Sequence, residues 1–291
     1  MDEMKLQTPV TFSRSRVEVC LADKVFALGS CFADNIGEKM SGIGMDVTVN
    51  PFGTLYNPVS VCNSVARLAS GVPFTEDECV RMGSGSNLFC SFSHHTAAAR
   101  PTKEEFLKDA NEALRLASKA WNSATKVIIT LGTSWCFEHI GSGEIVSNCL
   151  KIDPKMFNRR RLTTSETSLL LKNMVRRFPG KQFIFTVSPI RHLKDGAHGN
   201  QLSKSVLLLS VDEVTQAFPD RTDYFPAYEI FMDELRDYRF YAPDMVHPSA
   251  QAVDYIWSRF VQWTFPEKDL PEIETRRKAR AAAMHRPIIG I

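Results

Sequence analysis

Val25-Phe26-Ala27-Leu28-Gly29-Ser30-Cys31-Phe32-Ala33 decides how the fold is read. Four apolar residues in a row, stopped by a glycine and a serine, have the pattern of a strand buried on both faces of a parallel sheet. The residues from Phe32 to about Met40 suit a helix, and Ser41-Gly42 closes it. A buried strand running straight into a helix is half of a strand–helix–strand unit. Met45 to Val49 then reads as a second strand, and Asn50-Pro51-Phe52-Gly53 as the loop leaving it. Lys126 to Leu131 is the strongest strand signal and ends at Gly132. Gln182 to Val187 is another, ending at Ser188-Pro189.

The segments between these strands read as helices. Asn57-Pro58 supplies an N-cap and a first-turn proline. Thr102 with Glu105, and Thr163 with Glu166, have the spacing of capping boxes, opening helices to about Trp121 and Phe178. Further helices are expected over 200–218, 226–237 and 248–263. Gly141-Ser142-Gly143 lies between two extended runs inside 135–148, a hairpin signature. Residues 71–100 fit the alternation poorly and read as an irregular excursion over the sheet edge. The Arg159-Arg160-Arg161 run reads as a solvated approach to the next helix, and residues 266–291 as an exposed C-terminal tail. The whole chain, 1–291, is expected to form one α/β domain with a mostly parallel sheet. Ligands bind such sheets at the carboxyl ends of the strands. That directs attention to Ser30, Gly53, Thr133 and Ser188.

Composition narrows the function classes. The 291 residues are 44% apolar and 23% charged, with net charge +2, so no electrostatic footprint marks a nucleic-acid or membrane-surface binder. Seven cysteines, an odd number without C-x-x-C spacing, argue against a disulfide framework and fit reduced thiols. Met1-Asp2-Glu3-Met4-Lys5 is followed by no apolar leader, and no run is long enough to span a bilayer, so a cytoplasmic location is expected. No H-x-H or H-E-x-x-H occurs, and neither metal nor cofactor is expected.

Ser30 follows the first strand at the mouth of a helix, where N–H groups gather. By itself it is better explained as a helix cap. Asp244-Met245-Val246-His247-Pro248 changes that weighting, because a serine nucleophile needs a base and the base needs an orienting carboxylate. An acid three residues before a histidine folds back onto the imidazole Nδ1. Pro248 is expected to start a helix immediately after His247, fixing His247 at its cap.

Gly29-Ser30-Cys31-Phe32-Ala33 resembles the signature of the GSCFA family, within the GDSL/SGNH hydrolase superfamily. Asn50 to Pro58, Thr130 to Thr133, Val187 to His192 and Tyr224 to Ser249 resemble further blocks of that family in the same order. The resemblance implies a three-layer α/β/α fold around a central, mostly parallel sheet of about five strands. It implies Ser30 as nucleophile, His247 as base and Asp244 as its partner, with an oxyanion hole from the N–H groups of Ser30 and Gly53. It selects Ser30 over the adjacent Cys31. The superfamily's usual asparagine after the third strand is absent here. Thr133 stands in its place as a substitute donor. His94 and His95, and Arg191 and His192, are candidates for contact with substrate, at most one of the adjacent His94 and His95 facing the site. Arg191 and His192 fit equally well as partners of the acidic residues Asp233 and Glu234.

The leading expectation is hydrolysis of a small acyl ester on a carbohydrate or other polar alcohol, a small-molecule substrate. Acyl transfer to an alcohol on the same site, and a non-catalytic binding protein on the same scaffold, are the alternatives. A nucleotide site is disfavoured, since no G-x-G-x-x-G or G-x-x-x-x-G-K occurs.

Overall fold

β1 (Lys24–Gly29) lies between β2 (Asp46–Val49) and β3 (Lys126–Leu131), and β4 (Gln182–Val187) and β5 (Thr222–Phe225) complete the sheet. The strand order is β2-β1-β3-β4-β5 and every pairing is parallel. This computed structural model describes residues 8–284. The chain pairs β2 on one side of β1 and then returns to place β3 on the other. The order therefore reverses between β1 and β3, and the carboxyl edge at that reversal is where open α/β sheets bind their ligands.

Side-chain alternation along β1 builds the layers. Phe26 and Leu28 point into one core with α2 (Pro58–Ser70), α3 (Lys103–Ser123), α4 (Thr164–Arg177) and α5 (Gly196–Ala217). Val25 and Ala27 point into the other, with α1 (Cys31–Gly42), α6 (Ala250–Thr264) and α7 (Leu270–Met284). The fold is thus a three-layer α/β/α sandwich. Each large apolar side chain sealed in it, such as Phe26 against the edge of Trp121, contributes about 1.5–3 kcal/mol.

Helix starts follow local chemistry. Asn57 caps α2 with Pro58 in its first turn, and the Thr163/Glu166 box is complete at α4. At α3 the Thr102 side chain accepts from the Glu105 N–H. The 135–148 segment forms the expected hairpin, Trp135–His139 pairing with Glu144–Val146. Residues 71–100 hold a two-residue antiparallel pair, Val80–Arg81 with Phe89–Cys90, and two short 3₁₀ turns, Glu76–Glu78 and Thr96–Ala98.

Three expectations need correction, and one strand has no sequence pattern to announce it. Phe157–Arg161 is a strand, paired antiparallel with Trp135–His139, so the arginine run is a sheet edge and not a helix approach. β5 was not legible as a strand. The predicted helix over 226–237 is a single turn, Ala227–Glu229, followed by a wide turn over Ile230–Glu234. The tail is not free as far as it is described: α7 buries Ile273, and Arg276 and Arg280 donate to the carbonyls of Ile43 and Glu38 at the end of α1. Residues 285–291 lie outside the described residues.

Candidate active site

Gly29 and Ser30 occupy the carboxyl end of β1. Gly29 has φ +134°, and a Cβ there would lie 2.0 Å from the Thr130 carbonyl oxygen, so only glycine brings the chain this close to β3. Its N–H donates to Asn50 Oδ1 at 2.8 Å, while Asn50 Nδ2 donates to Asp34 Oδ1 at 2.7 Å. These bonds tie the β1–α1 junction to the loop after β2. Ser30 caps α1: its Oγ accepts, at 3.4 Å, from the Phe32 N–H. The residue is 0% exposed.

Asp244 and His247 lie on the loop before α6. Asp244 Oδ1 accepts from the N–H groups of Val246 and His247, both at 2.9 Å, and Oδ2 faces His247 Nδ1 at 2.6 Å. Met245 takes φ +57° to close the turn. These hydrogen bonds hold the Asp244 carboxyl down at about 2, so it is ionised at neutral pH. With a proton on Nδ1, the imidazole keeps a lone pair on Nε2. Ser249, not Pro248, carries the start of α6: it is the N-cap and the helix begins at Ala250. His247 is fixed instead by backbone bonds across 240–249, Ala242 N to His247 O at 2.7 Å and Ser249 N to Phe240 O at 2.7 Å. The side chains of His247 and Asp244 are 49% and 51% exposed. Among the described residues no hydrogen bond joins His247 to Ser30.

The expected oxyanion donors are engaged elsewhere. The Ser30 N–H donates to Thr130 O at 3.0 Å, and the Gly53 N–H to Asn50 O at 2.8 Å. The Thr133 hydroxyl lies 2.9 Å from Ser203 Oγ and accepts from the Trp135 N–H. Gly53 is nonetheless held in place: it has φ +83°, and His95 Cβ packs where a side chain would begin.

The four substrate-contact candidates separate. His94 is 2% exposed, with Nδ1 2.7 Å from Ser91 Oγ and its ring between Phe52, Phe74 and Phe106. Burial, with a smaller push from Arg67, lowers its pKa to about 4. It is a core residue. His95 lies beside Gly53, and its N–H donates to Phe52 O. Arg191 is exposed against Met232 and ion-pairs with neither Asp233 nor Glu234, which bind Arg236 and Arg259. His192 packs its ring edge-on to Tyr56, 6.1 Å between centroids, and its N–H donates to Asn200 Oδ1. Its Nε2 is buried and has no partner among the described residues.

Lys204 went unnoticed in the sequence. It is 1% exposed, and its Nζ donates to the carbonyls of Gly132 at 2.7 Å and Ser188 at 2.9 Å, tying together the ends of β3 and β4. Burial lowers its pKa to about 7. The signal was present: Asn200, Ser203, Lys204, Leu207 and Val211 form the buried stripe of α5 at helical spacing. Cys31 is also unlike a nucleophile, because burial, with Asp34 adding to it, pushes its thiol up to about 11. A cavity of about 1120 Å³ lies apart from Ser30, between α2 and the hairpin sheet. Phe52, Ser60, Ser64, Phe92 and His139 are among its walls. Among the described residues, no helix is long and apolar enough to cross a membrane, and no three His, Cys, Asp or Glu side chains gather to hold a metal ion.

A sheet of order β2-β1-β3-β4-β5, with a capped serine at its switch point and an Asp-x-x-His turn before its last core helix, places the protein among three-layer α/β sandwiches with polar residues at the strand ends. The sequence matches the GSCFA family over residues 24–260, and the chain belongs to that family. The comparison with curated proteins returned no match.

Proposed function

We propose that the protein is a serine hydrolase of the GDSL/SGNH type that cleaves a small acyl ester, with Ser30 as nucleophile, His247 as base and Asp244 as its orienting carboxylate. The observation that carries this reading is the 2.6 Å contact between Asp244 Oδ2 and His247 Nδ1, which directs the proton-accepting Nε2 outward from a turn fixed at both ends. Ser30 supports it by position, at the N-terminus of α1 and at the switch point of the sheet. The raised thiol pKa of Cys31 favours the serine over its neighbour.

In the proposed reaction Ser30 Oγ attacks the acyl carbon as His247 Nε2 takes its proton. The tetrahedral intermediate collapses, the ester C–O bond breaks, and His247 protonates the departing alcohol. Water then cleaves the acyl-enzyme by the same steps. A polar alcohol such as a sugar is the proposed leaving group, and an alcohol replacing water would make the same site an acyltransferase.

A second reading has its own observation. Ser30 is sealed, and the N–H groups of Ser30 and Gly53 are bound to carbonyls. Those features suit a binding protein on a hydrolase scaffold. Labelling with a fluorophosphonate separates the two. The hydrolase reading expects wild type to label, Ser30→Ala not to label, and His247→Ala to label far more slowly. A wild-type protein that does not label favours the binding reading.

A further inference from the structure

We propose that His192 is a catalytic residue of the Ser30 site, donating its Nε2–H to the oxyanion; this rests on the hydrolase reading. An acyl transfer gathers negative charge on the carbonyl oxygen and needs hydrogen-bond donors waiting for it. The backbone N–H groups of Ser30 and Gly53 are taken by Thr130 O and Asn50 O, and the Thr133 hydroxyl by Ser203 and Trp135. His192 Nε2 is a contrasting group: like the Thr130 and Ser188 hydroxyls it is buried and unpartnered among the described residues, and of the three it alone lies on a ring that reaches across to the Tyr56 loop. A buried polar nitrogen left without a partner is costly, which asks for a reason.

The ring is packed at the carboxyl ends of the strands. It meets the edge of Tyr56, whose carbonyl accepts from the N–H groups of both Gly132 and Thr133 at the end of β3. Its main chain follows β4 and is pinned by Asn200. Leu55, next to Tyr56, donates to Gly29 O, so the same loop spans from β1 to the histidine. Ser30 is sealed from solvent just as His192 Nε2 is, so a substrate that reaches the serine must open this packing.

Burial lowers the His192 pKa to about 4, with Lys204 and His247 pushing the same way, and Asp195 and the nearby Gly132 carbonyl opposing them. At neutral pH the imidazole is uncharged, and a neutral imidazole N–H is an effective electrophilic donor that keeps its proton. The two histidines thus divide the work. His247, oriented by a carboxylate, takes and returns the proton. His192 lends a hydrogen bond as the carbonyl π pair moves onto oxygen and back, and transfers nothing.

The test is the rate of fluorophosphonate labelling at Ser30 in wild type, His192→Phe and His192→Gln, with thermal melts run alongside. His192→Phe keeps a ring against Tyr56 and is expected to slow labelling about 10²–10³-fold. His192→Gln keeps an N–H donor and is expected to recover part of the rate. Proton NMR of the phosphonylated protein is expected to show a downfield imidazole N–H resonance in wild type that is missing in His192→Gln, which separates it from the His247 Nδ1–H held by Asp244. Wild-type labelling rates in His192→Phe, or equal slowing in both variants, would overturn the assignment and leave the hydrolase reading standing. If His192→Phe does not fold, absence of the downfield resonance in the wild type overturns it. A wild type that never labels at Ser30 overturns both readings.

Discussion

Ser30 and His247 are held in place by opposite means. Ser30 is set by the sheet: β1 and β3 bring Gly29 against Thr130, Asn50 locks the junction, and the serine ends fully buried. His247 is set by its own neighbourhood. Its side-chain partner is Asp244, three residues away, and backbone bonds within 240–249 close the turn. The pair is half exposed. Long-range packing therefore fixes the proposed nucleophile, and a local turn fixes the base. The proposed chemistry requires the exposed pair to close on the sealed serine when substrate enters. Changes at the Gly29 junction should cost stability, and loss of the Asp244 charge should cost rate.

The largest effect is expected at Asp244. Asp244→Asn removes the charge that holds the His247 ring and its tautomer, so labelling should slow about 10⁴-fold with the thermal melt almost unchanged. A melt that collapsed with it would break the picture of a local turn. Next comes Gly29→Ala, which forces a Cβ onto the Thr130 carbonyl at a φ that L residues avoid. It should cost about 3 kcal/mol or more in urea unfolding.

A smaller effect is expected from His94. Its pKa is lowered to about 4 when folded, against about 6.5 when unfolded. Between those values the unfolded chain binds a proton that the native state refuses. Its contribution to stability is therefore lost as pH falls through that window, by about 1.4 kcal/mol per pH unit. Melts from pH 7 to 4 should show a shallower fall in His94→Phe than in wild type. The smallest is Ser249→Ala, which removes the α6 cap just after His247 and should cost about 1 kcal/mol by denaturant titration.

The core of the fold was legible because burial writes itself as apolar runs. Val25 to Leu28, Val127 to Leu131 and Phe183 to Val187 are buried on both faces and announce themselves as strands. β5, Thr222-Asp223-Tyr224-Phe225, is an edge strand with one partner and mixed polarity, so no run marks it. Phe157–Arg161 hid its strand behind arginines that solvent tolerates on a sheet edge. At the candidate site, Asp244 and His247 were legible because their contact spans three residues. Whether the N–H groups of Ser30 and Gly53 are free depends on which carbonyls the folded loops bring to them, and no local pattern carries that. Lys204 was overlooked although its place in the α5 stripe was in view.

The central claim is that Ser30 is the activated side chain. The most direct measurement is to expose wild-type protein to a fluorophosphonate, digest it, and locate the adduct by mass spectrometry. The phosphonyl group is expected on the Ser30 oxygen, with Cys31 unmodified in the same peptide. An adduct on Cys31, on any other residue, or on none would contradict it.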